Sequence, residues 1–150
     1  MNRTVAREAA LICIFSLEFA DPNQENVLED RLSGESLALL GEQSGLYEGV
    51  PAPRYADYIR KVTSGVLEKQ EELDGYISKY ASGWSVRRIS RVCRAVLRLS
   101  MYEILYLEEV PASVAINEAV ELTKKYENEE MPAFVNGVLG GFVRGEKIES

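Results

Sequence analysis

The stretch SVRRISRVCRAVLRLSMYEILYL, Ser85 to Leu107, decides how this chain is read. Ile89, Val92, Cys93, Val96 and Leu99 recur at the three- and four-residue steps that line one face of an α-helix. Arg87, Arg91, Arg94 and Arg98 recur at similar steps on the opposite side. The expectation is one long helix, capped at its start by Ser85, with one face in a core and one face cationic. Glu103 falls near the apolar side and needs a partner if it is buried.

The charge around this stretch is uneven. From Gly75 to Tyr102 there are six basic residues and no acid, inside a chain whose formal net charge is −7. A purely structural stripe normally carries its own acids one helical turn away, and this one has none before Glu103. Arginine forks onto phosphate and carboxylate better than any other side chain. The overall acidity does not exclude a polyanionic ligand. Screening confines electrostatic attraction to about a Debye length, roughly 10 Å, so local charge decides.

Outward from this helix the pattern stays helical. Pro111 and Ser113 open a sixth helix that runs to about Tyr126, and Pro132 sits in the first turn of a seventh that ends near Gly145. Toward the N-terminus a first helix is expected from Thr4 to Ala20 and a second from Gln24 to Leu40. Gly41 to Pro53, rich in glycine and proline, reads as the clearest loop. A third helix is expected from Arg54 to Glu71 and a short fourth from Leu73 to Tyr80, ended by Ser82-Gly83. No strand pair, internal repeat or low-complexity tract emerges. The fold class is all-α, about seven helices in a single domain of 1–150, with subdomains of about 1–80 and 81–150.

Composition narrows the chemistry. Histidine is absent, which removes the commonest general base and metal ligand. The two cysteines, Cys13 and Cys93, cannot build a structural zinc site, and no glycine-rich phosphate loop occurs. A binding protein is expected, with no enzymatic activity, no cofactor and no metal. The longest apolar run, Ala9 to Phe15, is too short to cross a bilayer. Cysteines set in helical pattern fit a reducing cytoplasm.

Two further constellations stand out. Arg3 and Arg7 lie one turn apart at the start of the first helix, where cations oppose the macrodipole. Surface arginines without a role explain them equally well. Phe134-Val-Asn136-Gly places two poor helix formers inside a helix. Gly137 is read as a close-packing position, whereas Asn136 carries donors and an acceptor on an apolar segment.

Ordered blocks in the second half resemble the NusB transcription antitermination family. They are Trp84 with Arg88-Ile89, then Arg94-Ala-Val-Leu-Arg-Leu99 and Tyr102-Glu103. Pro111, Val114-Ala-Ile-Asn-Glu-Ala-Val-Glu-Leu122 and Phe134-Val-Asn-Gly-Val-Leu139 follow. The first half matches more loosely, through Ala6-Arg7-Glu8, the helix to Phe19, Gly65-Val66 and Asp74. The resemblance implies bacterial proteins built as two small packed helical bundles. It also implies a partner, the small-subunit ribosomal protein NusE, and a joint target, boxA-type single-stranded RNA within a transcription elongation complex.

On that resemblance Arg3, Arg7, Arg94 and Arg98 are expected to contact phosphates, with Phe134 and Asn136 stacking on or reading a base. Phe15, Phe19, Arg88 and Cys93 are expected to face NusE. Two departures bear on this. The family's arginine-rich start is reduced here to Arg3 and Arg7, and Cys93 stands where the family tends to have an acid. Cys93 is expected to be partly buried at the edge of the partner surface. An interaction module without RNA binding, and a helical domain shed from an RNA-modifying enzyme, are the alternatives at this point.

Overall fold

The computed structural model describes residues 2–18, 32–45 and 52–148. Among these the regular structure is helical, with no strand. Seven α-helices are described: α1 Arg3–Leu17, α2 Gly34–Ser44, α3 Pro53–Glu68, α4 Gln70–Tyr80, α5 Arg91–Tyr106, α6 Ala112–Tyr126 and α7 Met131–Gly145. A 3-10 helix, Val86–Arg88, precedes α5. The expected all-α class is what forms. The chain divides into two compact units, Met1–Gly65 and Val66–Ser150. The division falls inside α3, earlier than the boundary expected near residue 80.

In the first unit, the Asn2 side chain caps α1 by accepting from the Val5 N–H at 2.9 Å. That satisfies one of the donors a helix start leaves open. Ala6, Ala9, Ala10, Leu11, Cys13 and Ile14 are buried, as the helical spacing requires. The described part of the second expected helix begins at Gly34, with Ser33 Oγ accepting from the Ser36 N–H at 3.1 Å. The positions expected to open that helix, 24 to 31, lie outside the described residues. This helix continues through Gly41 to Ser44, so the first positions of the expected loop are helical, while 46 to 51 lie outside the described residues. Gly45 ends it with φ 74°, a left-handed conformation that glycine adopts without a Cβ penalty. In α3, Tyr58, Ile59 and Val62 are buried, and Arg60 Nε donates to the Leu32 carbonyl at 2.9 Å.

In the second unit α5 is the central element, packed against α4, α6 and α7. Every residue from Ala95 to Glu103 is buried, including Arg98 and Ser100. Glu103 is fully buried and partnered, as its expected position demanded. A helix enclosed on this many sides keeps no solvent face along its inner turns. The expectation of one core face and one cationic face therefore fails here.

The expected single helix from Ser85 to Leu107 also fails. After the 3-10 helix, Ile89 takes an extended conformation with φ −74° and ψ 135°. Ser90 then caps α5, its Oγ accepting from the Cys93 N–H at 3.2 Å. Arg87 and Arg88 thus sit on a separate short turn, and the four-arginine stripe is not one helical face.

At the end of the unit, fully buried Phe142 meets Tyr76 and Tyr80 edge-on, at centroid distances of 5.0 and 5.9 Å. Such pairs add about 0.5–1.5 kcal/mol each beyond the area they bury. Lys79 Nζ pairs with Glu146 at 2.7 Å, and the Tyr80 hydroxyl donates to the same carboxylate.

Candidate nucleic-acid interface

Between α4 and the 3-10 helix the chain makes a tight turn, closed by the Trp84 N–H donating to the Ala81 carbonyl at 3.0 Å. Gly83 has φ 82°, which the third position of such a turn needs. The turn carries Trp84, the one tryptophan of the chain, out to 44% exposure. Its ring lies against Phe134 on α7, with centroids 5.6 Å apart and planes tilted by 56°. An open cleft of about 230 Å³ adjoins the pair, lined by Tyr80, Ala81, Ser82, Ala133, Gly137 and Val138 together with the two rings. No charged side chain lines it. Space lies open where a Cβ on Gly137 would point, so the close packing expected at that glycine is not found.

Directly after Trp84 come Arg87 and Arg88, both exposed, and then exposed Arg91 at the first position of α5. Among the described residues neither Arg87 nor Arg88 forms an ion pair. Arg94 is half-buried, and one guanidinium nitrogen donates to the Val86 carbonyl of the 3-10 helix at 3.4 Å. A helix N-terminus already favours anions through its open N–H groups, and the arginines add to that field.

The expected site residues divide by exposure. Arg3 is exposed, with its guanidinium 4.5 Å from the Tyr58 ring centroid. Asn136 is exposed and Phe134 half-buried beside Trp84. Arg7 is 3% exposed and partnered, which does not suit the surface phosphate contact expected of it. Arg98 is a clearer correction. Its Nε and a terminal nitrogen donate to the two carboxylate oxygens of Asp74, at 2.7 and 2.9 Å, from a buried position. It joins α4 to α5 and has no surface to offer a phosphate.

On the expected partner face, Phe15 is half-buried and Arg88 exposed, while Phe19 lies outside the described residues. Cys93 is 0% exposed, so the partly open thiol expected at a partner surface is corrected to a core side chain. Burial pushes its thiol pKa up, the hydrogen bond to Ser90 opposes the rise, and nearby Glu127 adds to it. Trp84 and the pairing of Arg87 with Arg88 were not singled out as site residues. The signal was present. A lone tryptophan between Ser82-Gly83 and Ser85 sits outside any helical pattern, in acid-free sequence.

Described residues that are helical throughout their regular structure, with exposed arginines following the tryptophan of an aromatic cleft in sequence, have the features of a nucleic-acid-binding protein. The chain belongs to the NusB family, whose model matches residues 4–144. It is 38% identical over 146 residues to the transcription antitermination protein NusB of Ruminiclostridium cellulolyticum, covering 97% of this chain and 91% of that protein. It also superposes on the structure of T. maritima NusB with a TM-score of 0.74 at 30% identity, covering 96% of this chain and 92% of that one. A third likeness, with a TM-score of 0.73 at 26% identity, covers 95% of this chain and 96% of the other. It is to a chain from the crystal structure of antitermination factors NusB and NusE in complex with dsRNA.

Proposed function

We propose that this chain is an RNA-binding transcription antitermination factor that acts with NusE on boxA-type nascent RNA in the elongation complex. It works by binding alone, as a cytoplasmic protein with no catalytic step. Among the described residues no helix is long and apolar enough to cross a membrane, and no cluster of side chains fits a metal ion. The observation that carries the reading is the exposure of Arg87, Arg88 and Arg91, within seven residues of Trp84 in sequence, in a chain of the NusB family.

Within this reading Arg3 and Arg94 are also proposed as phosphate contacts, and Phe134 and Asn136 as base contacts. Phe15 and Phe19 are proposed for NusE, and Arg88, expected on that face, is proposed as a phosphate contact instead. Arg7, Arg98 and Cys93 are assigned structural roles, because each is buried. Half-buried aromatics are frequent anchors in protein interfaces. Phe15→Ala should weaken NusE binding by roughly 1–3 kcal/mol in a calorimetric titration, within the range of interface hot spots. Unchanged affinity in a folded variant would remove Phe15 from the partner surface.

A further inference from the structure

We propose that Glu127 limits how tightly this chain holds RNA: its carboxylate, reaching from the end of α6 to the start of α5, offsets part of the attraction that Arg87, Arg88 and Arg91 exert on phosphates. This rests on the RNA-binding reading and adds to it a residue that sets the strength of that binding. Three observations carry it.

The first is where the carboxylate goes. Glu127 is the C-cap of α6, in extended conformation with φ −128° and ψ 172°. A helix C-terminus is the negative end of the macrodipole. Lys124 and Lys125 in the last turn suit it, and an acid does not. The Glu127 side chain turns to α5 instead, where it accepts from the Ser90 hydroxyl at 2.6 Å. Ser90 is the N-cap of α5, at the positive end of that helix. The acid is thereby held at a residue that adjoins Arg91 and lies two from Arg88 along the chain.

The second is that the charge is fixed in place. Glu127 is half-buried, and its backbone N–H donates to the carbonyl of fully buried Thr123 at 2.9 Å. The Ser90 oxygen that meets the carboxylate accepts in turn from the Cys93 N–H at 3.2 Å. The bridge is anchored in helix backbone at both ends. Its charge is felt within the first turn of α5, where it adds to the rise in the Cys93 thiol pKa. Asp74 and Glu146, by contrast, meet the basic segment at buried Arg98 and at Lys79 and Tyr80.

The third is sign and size. A carboxylate repels a phosphate. For unit charges about 10 Å apart the repulsion equals about 2-fold in affinity at the dielectric of water, and about 15-fold at the value of roughly 20 that suits a protein surface. One carboxylate at this position is therefore enough to tune binding without abolishing it.

The test measures the affinity of the full chain with NusE for single-stranded boxA-type RNA, by fluorescence anisotropy at low and high salt. Glu127→Gln keeps the size of the side chain and an oxygen for the Ser90 hydroxyl, so it should melt like wild type. At low salt it should bind RNA about 2- to 15-fold more tightly. The gain should shrink at high salt, where the charge is screened. An RNA of unrelated sequence should gain equally, because phosphates carry no sequence information. Glu109→Gln removes the same charge from an exposed position beyond the other end of α5, whose 16 residues span roughly 24 Å, and should leave the affinity unchanged. If folded Glu127→Gln binds RNA like wild type, the inference is overturned while the RNA reading stands. If it binds more weakly at every salt concentration, Glu127 shapes the start of α5 and its role as a limiting charge is overturned. If Glu109→Gln gains as much, net charge alone acts and the placement of Glu127 counts for nothing. If wild type binds no RNA even with NusE, the broader reading falls and this inference with it.

Discussion

Burial holds the Cys93 thiol above its ordinary pKa, so it stays protonated at neutral pH despite three arginines close by in sequence. A protonated, enclosed thiol is a poor nucleophile. Replacing it by an acid places a carboxylate where no solvent reaches. Cys93→Asp should therefore destabilise the protein by about 3 kcal/mol or more, read by urea denaturation. An unchanged midpoint would show that the site is open after all. Tyr106 gives a residue-scale test against pH. Its hydroxyl donates to both Glu72 oxygens, at 2.9 and 2.8 Å, and that bond, with burial, pushes its pKa up to about 12. The raised value means that the neutral form is favoured by folding. The contribution to stability is complete below the ordinary tyrosine pKa of about 10 and is lost as pH rises through about 12. In a spectrophotometric titration Tyr106 should ionise well above an ordinary tyrosine, and Glu72→Gln should bring it back toward the usual range. A titration curve unaffected by Glu72→Gln would contradict the assigned bond.

At the scale of elements, α5 shows what spacing reveals and what it does not. Of the residues expected on its apolar side, Ile89, Cys93, Val96 and Leu99 are buried and Val92 is half-buried, because helical periodicity reports a core face wherever one exists. The same periodicity cannot count how many neighbours a helix has. Arg98 reads as a surface residue because no acid lies a turn away, yet its partner Asp74 stands on α4, far from it in sequence. The break at Ile89 was hidden because Val86 and Ile89 continue the apolar rhythm. Only Ser90, an unremarked capping residue, marked the true start. The ion pair that links α4 to α5 should be structural. Asp74→Ala leaves the Arg98 guanidinium buried without its carboxylate and should cost about 3–5 kcal/mol, toward the lower end because Asp74 is partly open to solvent. Arg98→Met combined with Asp74→Leu should recover much of that loss, since it removes both charges. Equal stability of Asp74→Ala and wild type in denaturant would contradict the assignment.

For the whole molecule the relevant contrast is between a formal charge of −7 and a basic segment that carries no acid of its own, although Glu127 at the end of α6 reaches it at Ser90, whose hydroxyl donates to that carboxylate at 2.6 Å. The all-α class was legible because helical patterning covers the chain. The division into units was not, because it falls within the continuous helix α3 and leaves no glycine- or proline-rich break at that point. The basic segment was legible as a location. Its exposed members were not, since exposure depends on packing that local spacing does not record. Arg87, Arg88 and Arg91 emerged on the surface, while Arg98, an equal in the sequence pattern, went into the core. The central claim is that these three arginines meet RNA phosphates. The direct measurement is the affinity of the chain with NusE for single-stranded boxA-type RNA across a range of salt concentrations, by fluorescence anisotropy. Each phosphate neutralised on a single strand contributes about −0.7 to the log–log slope, so wild type should give about −2 or steeper. Replacing Arg87, Arg88 and Arg91 together with glutamine should flatten that slope by about 2 while the protein stays folded. A folded triple variant with the wild-type slope and affinity would contradict the claim.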